Sequence, residues 1–323
     1  MTTGSEMANT SKFDLRGKRV YVAGHRGMVG SAIVRRLARE DCAVLSIDRA
    51  ELDLVQVDRV AAWLKEVKPD AVFFAAGKVG GIVANSSFPV DFLEDNLLMA
   101  LSVIRGSFAA GVKKLMFFGS SCIYPRLSPQ PMTEDLLLTG PLEPTNEWYA
   151  VAKIAGLKLA EAYRRQHDCD YISVMPTNLY GKGDNYHPEH GHVPAALIRR
   201  FHEAKEARAP VVQVWGTGRP RREFLSVDDL ADAAVFLMQN YSDTGFINIG
   251  TGEDISIAEF AQVVAGVVGY EGRIEFDTSR PDGMPRKLLD VSKIRALGWR
   301  PRIHLKEGLA DAYADFLRGS VRK

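Results

Sequence analysis

The sequence has few cysteines, no excess of charge of either sign and no long apolar run. Its three cysteines, an odd number without the spacing of a metal site, predict reduced thiols and a cytoplasmic protein: Cys42, Cys122 and Cys169. Forty-one Lys and Arg residues against forty Asp and Glu residues leave a formal charge of +1, so we expect no binding to nucleic acid or to an acidic membrane surface. Apolar runs such as residues 71–76 are far shorter than the roughly 20 residues that span a bilayer.

What the sequence does contain is an alternation of short apolar runs with longer amphipathic ones between residues 18 and 175. With 323 residues, 46% of them hydrophobic, the chain can bury a sizeable core. The alternation predicts parallel strands joined by crossover helices, which is an α/β fold with a doubly wound parallel sheet of the Rossmann type. The predicted strands cover residues 19–23, 43–47, 71–74, 115–118 and 171–175, and the first predicted helix covers 28–40.

After residue 176 the sequence changes to loops punctuated by glycine and proline, with predicted helices near residues 192–208 and 256–268. We therefore expect three regions along the chain. Residues 1–15 are predicted to be a flexible tail, residues 16–176 with later returning segments a Rossmann-type domain, and residues 177–323 mainly a smaller mixed α/β substrate-binding part.

A glycine-rich turn follows the first predicted strand and opens the first predicted helix. Its residues are Gly24, His25, Arg26, Gly27, Met28, Val29 and Gly30. The first glycine permits a sharp turn, the second lets the backbone approach a pyrophosphate, and the third lets helix and strand pack closely, while the helix N-terminus offers amides and a positive dipole. Glycines also serve turns that bind nothing, but the strand-to-helix junction favours a dinucleotide site.

The end of the second predicted strand bears on which dinucleotide binds. Asp48 stands where a carboxylate would bond a ribose 2′-hydroxyl and repel a 2′-phosphate, which favours NAD. Arg26 in the glycine loop and Arg49 beside Asp48 are guanidinium groups that could neutralise a 2′-phosphate. The sequence therefore allows either NAD or NADP(H) as the cofactor, and we favour NADP(H).

A tyrosine and a lysine stand four residues apart in a predicted helix after the fourth strand. The spacing places Tyr149 and Lys153 on one helix face, where a lysine ammonium would lower the pKa of the phenol and let it exchange a proton with a carbonyl or alcohol oxygen. Ser120, at the end of the fourth strand, could donate to the same oxygen. A Tyr-x-x-x-Lys pair is more often an ordinary surface pair, but its position after the fourth strand favours catalysis.

These three motifs occur in the order found in extended short-chain dehydrogenases/reductases, and the chain resembles that family. Within it, the resemblance is to the GDP-L-fucose synthases, over phrases at residues 24–30, 119–125, 143–147, 175–181 and 281–287. Members of that family epimerise GDP-4-keto-6-deoxy-D-mannose at C3 and C5 and reduce its C4 ketone with NADPH. The resemblance implies a bifunctional NADP(H)-dependent enzyme that binds a nucleotide sugar and forms a homodimer through helices flanking the sheet.

The resemblance also implies a base and an acid for epimerisation. Cys122 stands two residues beyond Ser120, where related epimerases and dehydratases commonly have Thr, and a thiolate can act as a base. His192 opens the helix of the second part and titrates near neutrality, which suits an acid. The competing readings are a cysteine that only packs and a metal cluster of His187, His190 and His192, which the irregular spacing disfavours, so we expect no metal.

The remaining implied residues bind the cofactor and the nucleotide. Near the nicotinamide we expect residues of the loop after the fifth strand, which are Pro176, Asn178 and Leu179. Two of the catalytic residues, Lys153 and His192, are expected to contact the cofactor as well. GDP is assigned to Arg200, Trp215, Arg222 and Asp282, because guanidinium groups suit a diphosphate and an indole can lie against a base or ribose. Asn178 could instead be a turn residue, Arg200 a solvated charge and Trp215 a packing residue.

Two other functions compete with this reading. One is an epimerase or dehydratase of the same superfamily that returns the hydride to a retained cofactor. The other is a dinucleotide sensor without catalysis, which would have no need of Ser120, Tyr149 and Lys153.

Overall fold

The structure, a computed structural model, describes residues 12–187, 191–280 and 282–319. Its thirteen strands in these ranges are β1 Arg19–Ala23, β2 Ala43–Leu45, β3 Ala71–Phe74, β4 Lys114–Phe118, β5 Asp170–Pro176, β6 Asn178–Tyr180, β7 Val211–Trp215, β8 Arg221–Arg222, β9 Phe224–Ser226, β10 Phe246–Ile249, β11 Ile255–Ser256, β12 Arg273–Asp277 and β13 Arg286–Lys287. The helices described are α1 Met28–Leu37, α2 Val57–Val67, α3 Ile82–Ser87, α4 Pro89–Ala109, α5 Glu147–His167, α6 Val193–Glu206, α7 Val227–Asn240, α8 Ile257–Val268, α9 Ser292–Ala296 and α10 Leu305–Leu317. Short 3₁₀ turns cover Ser121–Ile123, Glu134–Leu136 and Pro144–Asn146.

The central sheet has six parallel strands in the order β10-β5-β4-β3-β1-β2. Strands β3, β4 and β10 are buried at every residue, as expected for a parallel sheet covered by helices on both faces. The predicted doubly wound fold is confirmed, and the five predicted strands are present with ends shifted by at most two residues. The sixth strand, β10, was not predicted, because it pairs with β5 from a place in the chain about seventy residues further on.

Two long helices, α4 and α5, pack against each other on one side of the sheet. Gly156 on α5 permits their close approach, because a Cβ there would lie 2.8 Å from Cε2 of Phe117 and 3.3 Å from Cβ of Ala100. No helix in the described ranges has both the length and the apolar character needed to cross a membrane.

The folded chain begins earlier than the predicted tail suggests. Leu15 is 1% exposed and belongs to the large core, and the backbone N–H of Phe13 donates to the carbonyl of Gln239 at 2.9 Å. Burial of these apolar side chains holds residues 13–15 against the sheet, so the expectation of a tail through residue 15 is wrong for them. Residues 1–11 lie outside the described ranges.

The described residues form two hydrophobic cores. The large core surrounds the central sheet and also takes in chain from beyond residue 176, including buried residues of α7, β10 and the segment 288–299. The smaller core is built from α6, α8, α10 and the parallel pair β7 and β12. The segment that carries β13 therefore runs from a small three-stranded sheet with β8 and β11 back into the large core.

Candidate active site

The glycine-rich turn forms a tight junction between β1 and α1. Gly24 has φ +83°, a left-handed conformation that favours glycine, and a Cβ there would lie 2.7 Å from the Cα of Ala76. A Cβ on Gly30 would collide with the carbonyl of Gly24. Gly27 is the N-cap of α1, no side chain caps that end, and its first turn carries no acidic residue. The positive end of α1 is therefore suited to a pyrophosphate, which fits a dinucleotide.

Asp48 is compensated by cationic or potentially cationic side chains from the glycine loop. A guanidinium nitrogen of Arg26 lies 2.5 Å from one carboxylate oxygen of Asp48, and Nε2 of His25 lies 3.2 Å from the other. Arg49 instead pairs with Asp53 at 3.0 Å. Because the charge of Asp48 is already balanced, this carboxylate repels a 2′-phosphate less than an isolated one would, and Arg26 is the guanidinium better placed beside it.

Ser120, Tyr149 and Lys153 meet at the carboxyl end of β4. Ser120 caps the 3₁₀ turn that follows this strand, and its hydroxyl also hydrogen-bonds to Tyr149. Lys153 is 6% exposed, its Nζ donates to the carbonyl of Phe118 at 2.9 Å, and burial lowers its pKa to about 8. The helix α5 thus places the tyrosine and lysine next to the serine, as the sequence predicts.

The expectation that Lys153 lowers the pKa of Tyr149 stays a prediction, because other groups dominate the surroundings of this phenol. Desolvation and the negative charge of Cys122 raise the pKa of Tyr149, and the hydrogen bond with Ser120 only partly opposes them. The ammonium of Lys153 lies over the aromatic ring, 5.7 Å from its centroid, while donating to the Phe118 carbonyl. Tyr149 is therefore held as a protonated phenol at neutral pH.

Cys122 lies in the 3₁₀ turn after β4, beside a lysine that sequence reasoning missed. The Nζ of Lys287 donates to the sulfur of Cys122 at 3.5 Å, and the backbone N–H of Cys122 donates to the hydroxyl of Ser120 at 3.3 Å. Lys287 belongs to the two-residue strand β13 and is 9% exposed. The segment 281–287 was part of the family resemblance and so indicated that this region matters. A lysine in a charged segment, however, shows no local sign that it will be buried.

His192 is the N-cap of α6, at the rim of the same cleft. His192 is an exposed residue; desolvation by the atoms near its ring and, after that, the positive charge of Lys287 lower its pKa. A lowered pKa makes its imidazolium a stronger acid and a less populated one at neutral pH. One cation, Lys287, therefore acts electrostatically on both members of the expected base and acid pair.

The residues after β5 lie along the cleft as ordered strand, not as a turn. Pro176 is the buried last residue of β5, and Asn178 and Leu179 begin β6, which pairs with β9. The side-chain amide of Asn178 donates to the backbone carbonyl of Glu223 at 2.8 Å. This bond ties the end of the central sheet to the strand that carries Arg222.

Trp215 is 51% exposed at the end of β7 and is flanked by two arginines. The guanidinium carbons of Arg200 and Arg280 lie 5.5 and 5.0 Å from its ring centroid. Arg280 was not predicted, and its position next to the phrase at residues 281–287 was the only sequence signal for it. An exposed indole between guanidinium groups suits a nucleoside diphosphate.

Asp282 and Arg222 border this nucleotide region. The carboxylate of Asp282 accepts bonds from the backbone N–H and the hydroxyl of Thr217, at 2.8 and 2.7 Å, and so shapes the turn after Trp215. Desolvation lowers the pKa of Arg222, against the attraction of Asp282 and Cys122. Arg222 is therefore close enough to interact electrostatically with both Asp282 and Cys122.

Within the described ranges, no group of three His, Cys, Asp or Glu side chains is arranged to hold a metal ion. Of the three histidines considered for a metal, His190 lies outside those ranges.

Comparison with known proteins places this site in a family. Residues 20–250 match the model of the NAD dependent epimerase/dehydratase family. The chain is 55% identical to a GDP-L-fucose synthase of Sinorhizobium fredii, covering 94% of this chain and 96% of the relative, and 53% identical to GDP-L-fucose synthase 1 of Arabidopsis thaliana, covering 98% of each. A structure of a GDP-L-fucose synthetase from Naegleria fowleri bound to NADP superposes with a TM-score of 0.90 at 27% identity, covering 98% of this chain and 100% of the other. The chain belongs to the NAD dependent epimerase/dehydratase family and, within it, to the GDP-L-fucose synthases.

Proposed function

We propose that this protein converts GDP-4-keto-6-deoxy-D-mannose to GDP-L-fucose, with epimerisation at C3 and C5 followed by NADPH-dependent reduction at C4. One observation carries the proposal: the cysteine needed for epimerisation and the tyrosine needed for reduction share one pocket. The charge of Cys122 raises the pKa of Tyr149, and both residues hydrogen-bond to Ser120. A plain reductase would need no base beside its tyrosine.

Epimerisation requires a proton to leave a carbon next to the ketone and another to arrive on the opposite face. The thiolate of Cys122 takes the proton, so that the C–H bond breaks, an S–H bond forms, and the electron pair moves to the C4 oxygen. Ser120 and Tyr149 donate hydrogen bonds to that oxygen and stabilise its charge. His192, as imidazolium, then returns a proton to the carbon.

Reduction uses the protonated tyrosine. When bound, NADPH supplies a hydride to C4. Tyr149 gives its phenolic proton to the C4 oxygen, and the raised pKa of this residue keeps the proton in place until the oxygen becomes basic. Lys153, buried behind the ring, orients the phenol. The glycine loop fits the pyrophosphate, and Arg26 with His25 fits the 2′-phosphate.

The rest of the substrate is held by the region around Trp215. The guanidinium groups of Arg200, Arg222 and Arg280 suit the diphosphate, the indole suits the base or ribose, and Asp282 fixes the turn between them. These groups all lie beyond residue 176, which supports the division into a cofactor-binding part and a substrate-binding part.

The proposal includes a cytoplasmic homodimer. A working thiolate suits a reducing compartment. Exposed apolar side chains occur on the two long helices beside the sheet: Val90, Leu101 and Phe108 on α4, and Trp148 and Val151 on α5. Pairing of α4 and α5 with the same helices of a second copy would bury these side chains.

The decisive test is incubation with GDP-4-keto-6-deoxy-D-mannose and NADPH in D₂O, with absorbance following NADPH and NMR identifying the sugar nucleotide. We expect GDP-L-fucose with deuterium at C3 and C5 and one NADPH oxidised per product. Deuterium incorporation with no NADPH loss would make the chain an epimerase that retains its cofactor. Binding of NADPH with neither exchange nor reduction would favour the sensor.

A further inference from the structure

Lys287 is a buried cation whose place in the reaction is not explained by cofactor or nucleotide binding. We propose that Lys287 is a positioning residue that holds Cys122 in its thiolate form for proton abstraction. Its part in catalysis rests on the proposed function, whereas its effect on the ionisation of Cys122 does not.

The main chain of Lys287 is fixed near Cys122 by hydrogen bonds on both sides. The strand β13 pairs with β8, with Lys287 opposite Arg222, and the carbonyl of Lys287 accepts from the N–H of Glu223 at 3.3 Å. The next two N–H groups donate to side chains, Leu288 to Gln130 at 2.8 Å and Leu289 to Glu223 at 3.0 Å. The 3.5 Å contact with Cys122 is therefore set by the fold and not by a mobile surface side chain.

The cysteine sulfur is the negative partner that this cation has. Among the described residues, no carboxylate oxygen lies within 4.0 Å of the Lys287 ammonium, although the side chain is 9% exposed. A buried ammonium without a counter-charge is costly, and a thiolate next to it removes that cost while the ammonium stabilises the thiolate. Each charge thus favours the other.

Other groups around Cys122 are more weakly placed to do this. The guanidinium of Arg222 is attracted to Cys122, but also to Asp282 and Glu143. The phenol of Tyr149 and the hydroxyl of Ser120 are neutral. Lys287 is the cation in hydrogen-bond contact with the sulfur.

Lys287 also acts on the acid. Its charge adds to desolvation in lowering the pKa of His192. Removing the charge should make both Cys122 and His192 harder to deprotonate, so the pH range in which the pair works should move to higher pH as a whole.

The first test measures the thiol directly, without any sugar nucleotide. In a Cys42→Ser, Cys169→Ser background, the rate of alkylation of Cys122 by iodoacetamide is followed against pH by mass spectrometry. We expect the rate of alkylation of Cys122 at pH 7 to fall about tenfold or more in Lys287→Gln and to return in Lys287→Arg. Lys65→Gln, which removes an exposed lysine on α2, should leave the profile unchanged.

The second test links the thiolate to the reaction. Deuterium exchange into the substrate should fall about tenfold or more at pH 7 in Lys287→Gln and recover at higher pH, a rescue that a merely structural defect would not show.

An alkylation profile of Cys122 like that of an ordinary thiol in the parent protein, or one that does not move in a folded Lys287→Gln variant, would overturn the proposal. If Lys287→Gln does not fold, the parent profile alone decides. The proposed function would be refuted if the protein left the GDP sugar unchanged. If Lys287→Gln still changed the alkylation of Cys122 in that protein, the effect of Lys287 on the ionisation of Cys122 would stand.

Discussion

At the scale of single residues, the protonated state of Tyr149 suits this residue to the reduction step and not to the role of base in epimerisation. Desolvation and the charge of Cys122 raise the pKa of this tyrosine, so it is a proton donor at neutral pH. A donor is what the reduction step needs, because the C4 oxygen gains a proton as hydride arrives. Epimerisation needs a base, and the tyrosine is poorly suited to that part.

Tyr149→Phe should therefore slow reduction by about 10² to 10⁴ and slow epimerisation less, because the proton transfer belongs to the reduction step whereas epimerisation loses one of two hydrogen bonds to the C4 oxygen. The measurement is the rate of NADPH oxidation beside the rate of deuterium incorporation at C3 and C5. The matched variant Cys122→Ala should show the reverse, with exchange lost and direct reduction of the unepimerised ketone retained. Equal loss of both rates in Tyr149→Phe would contradict this division of labour.

Arg26 should govern the choice between the two nicotinamide cofactors. Arg26→Ala removes the guanidinium beside Asp48, so we expect the KM for NADPH to rise about ten- to a hundredfold, as for loss of a charged hydrogen bond, with little change for NADH. Arg49→Ala is the control, since Arg49 is paired with Asp53 and should matter less. An equal rise in the KM for NADPH and for NADH would mean that Arg26 supports the glycine loop and does not bind the 2′-phosphate.

At the scale of elements, a half-buried cluster around Asp232 joins α7 to α1 and to the chain after α9. Arg36 donates to one carboxylate oxygen of Asp232 at 2.8 Å, and the indole N–H of Trp299 donates to the other at 3.0 Å. Although burial raises the pKa of Asp232, these hydrogen bonds outweigh burial and lower it. The carboxylate thus stabilises the fold above the pKa that an unfolded Asp has.

Asp232→Asn should lower the free energy of unfolding at pH 7 by about 1–3 kcal/mol, because charged hydrogen bonds are lost inside the fold. The loss should shrink as the pH falls below about 4, since the native carboxylate itself becomes protonated there and its contribution disappears. Urea titrations at several pH values measure both effects. Asp228→Asn on the same helix is the control: its partner Arg35 is largely exposed, so the cost should stay below about 1 kcal/mol.

The sequence predicted most of the elements that are defined by local pattern and missed those defined by pairing at a distance. Strands β1 to β5 and the helices α1 and α5 follow from apolar runs and from motifs that neighbouring residues reveal. Strand β10 and the short β13 are set by partners far along the chain, so no local pattern marks them. Lys287 was missed for the same reason, because its burial depends on β8 and on the turn after β4.

At the scale of the whole molecule, the exposed apolar side chains of α4 and α5 predict a dimer that charges introduced on these helices should weaken. Leu101→Glu together with Val151→Glu places two carboxylates in the proposed interface, so we expect sedimentation to show a shift from dimer to monomer at micromolar concentration. Leu317→Glu changes a similarly exposed apolar residue on α10 and should leave the dimer intact. A parent protein that sediments as a monomer would refute the dimer itself.

The segment 286–291, which leaves the small sheet and enters the large core, determines how the molecule could be divided. A fragment ending at residue 176 would lack β10 and expose the edge of β5, a surface prone to aggregation. The complementary fragment would leave Leu289, Ile294 and Trp299 without the core that covers them. Cutting the chain at residue 176 would thus break the large core, so we expect the two pieces to aggregate and not to work as separate modules.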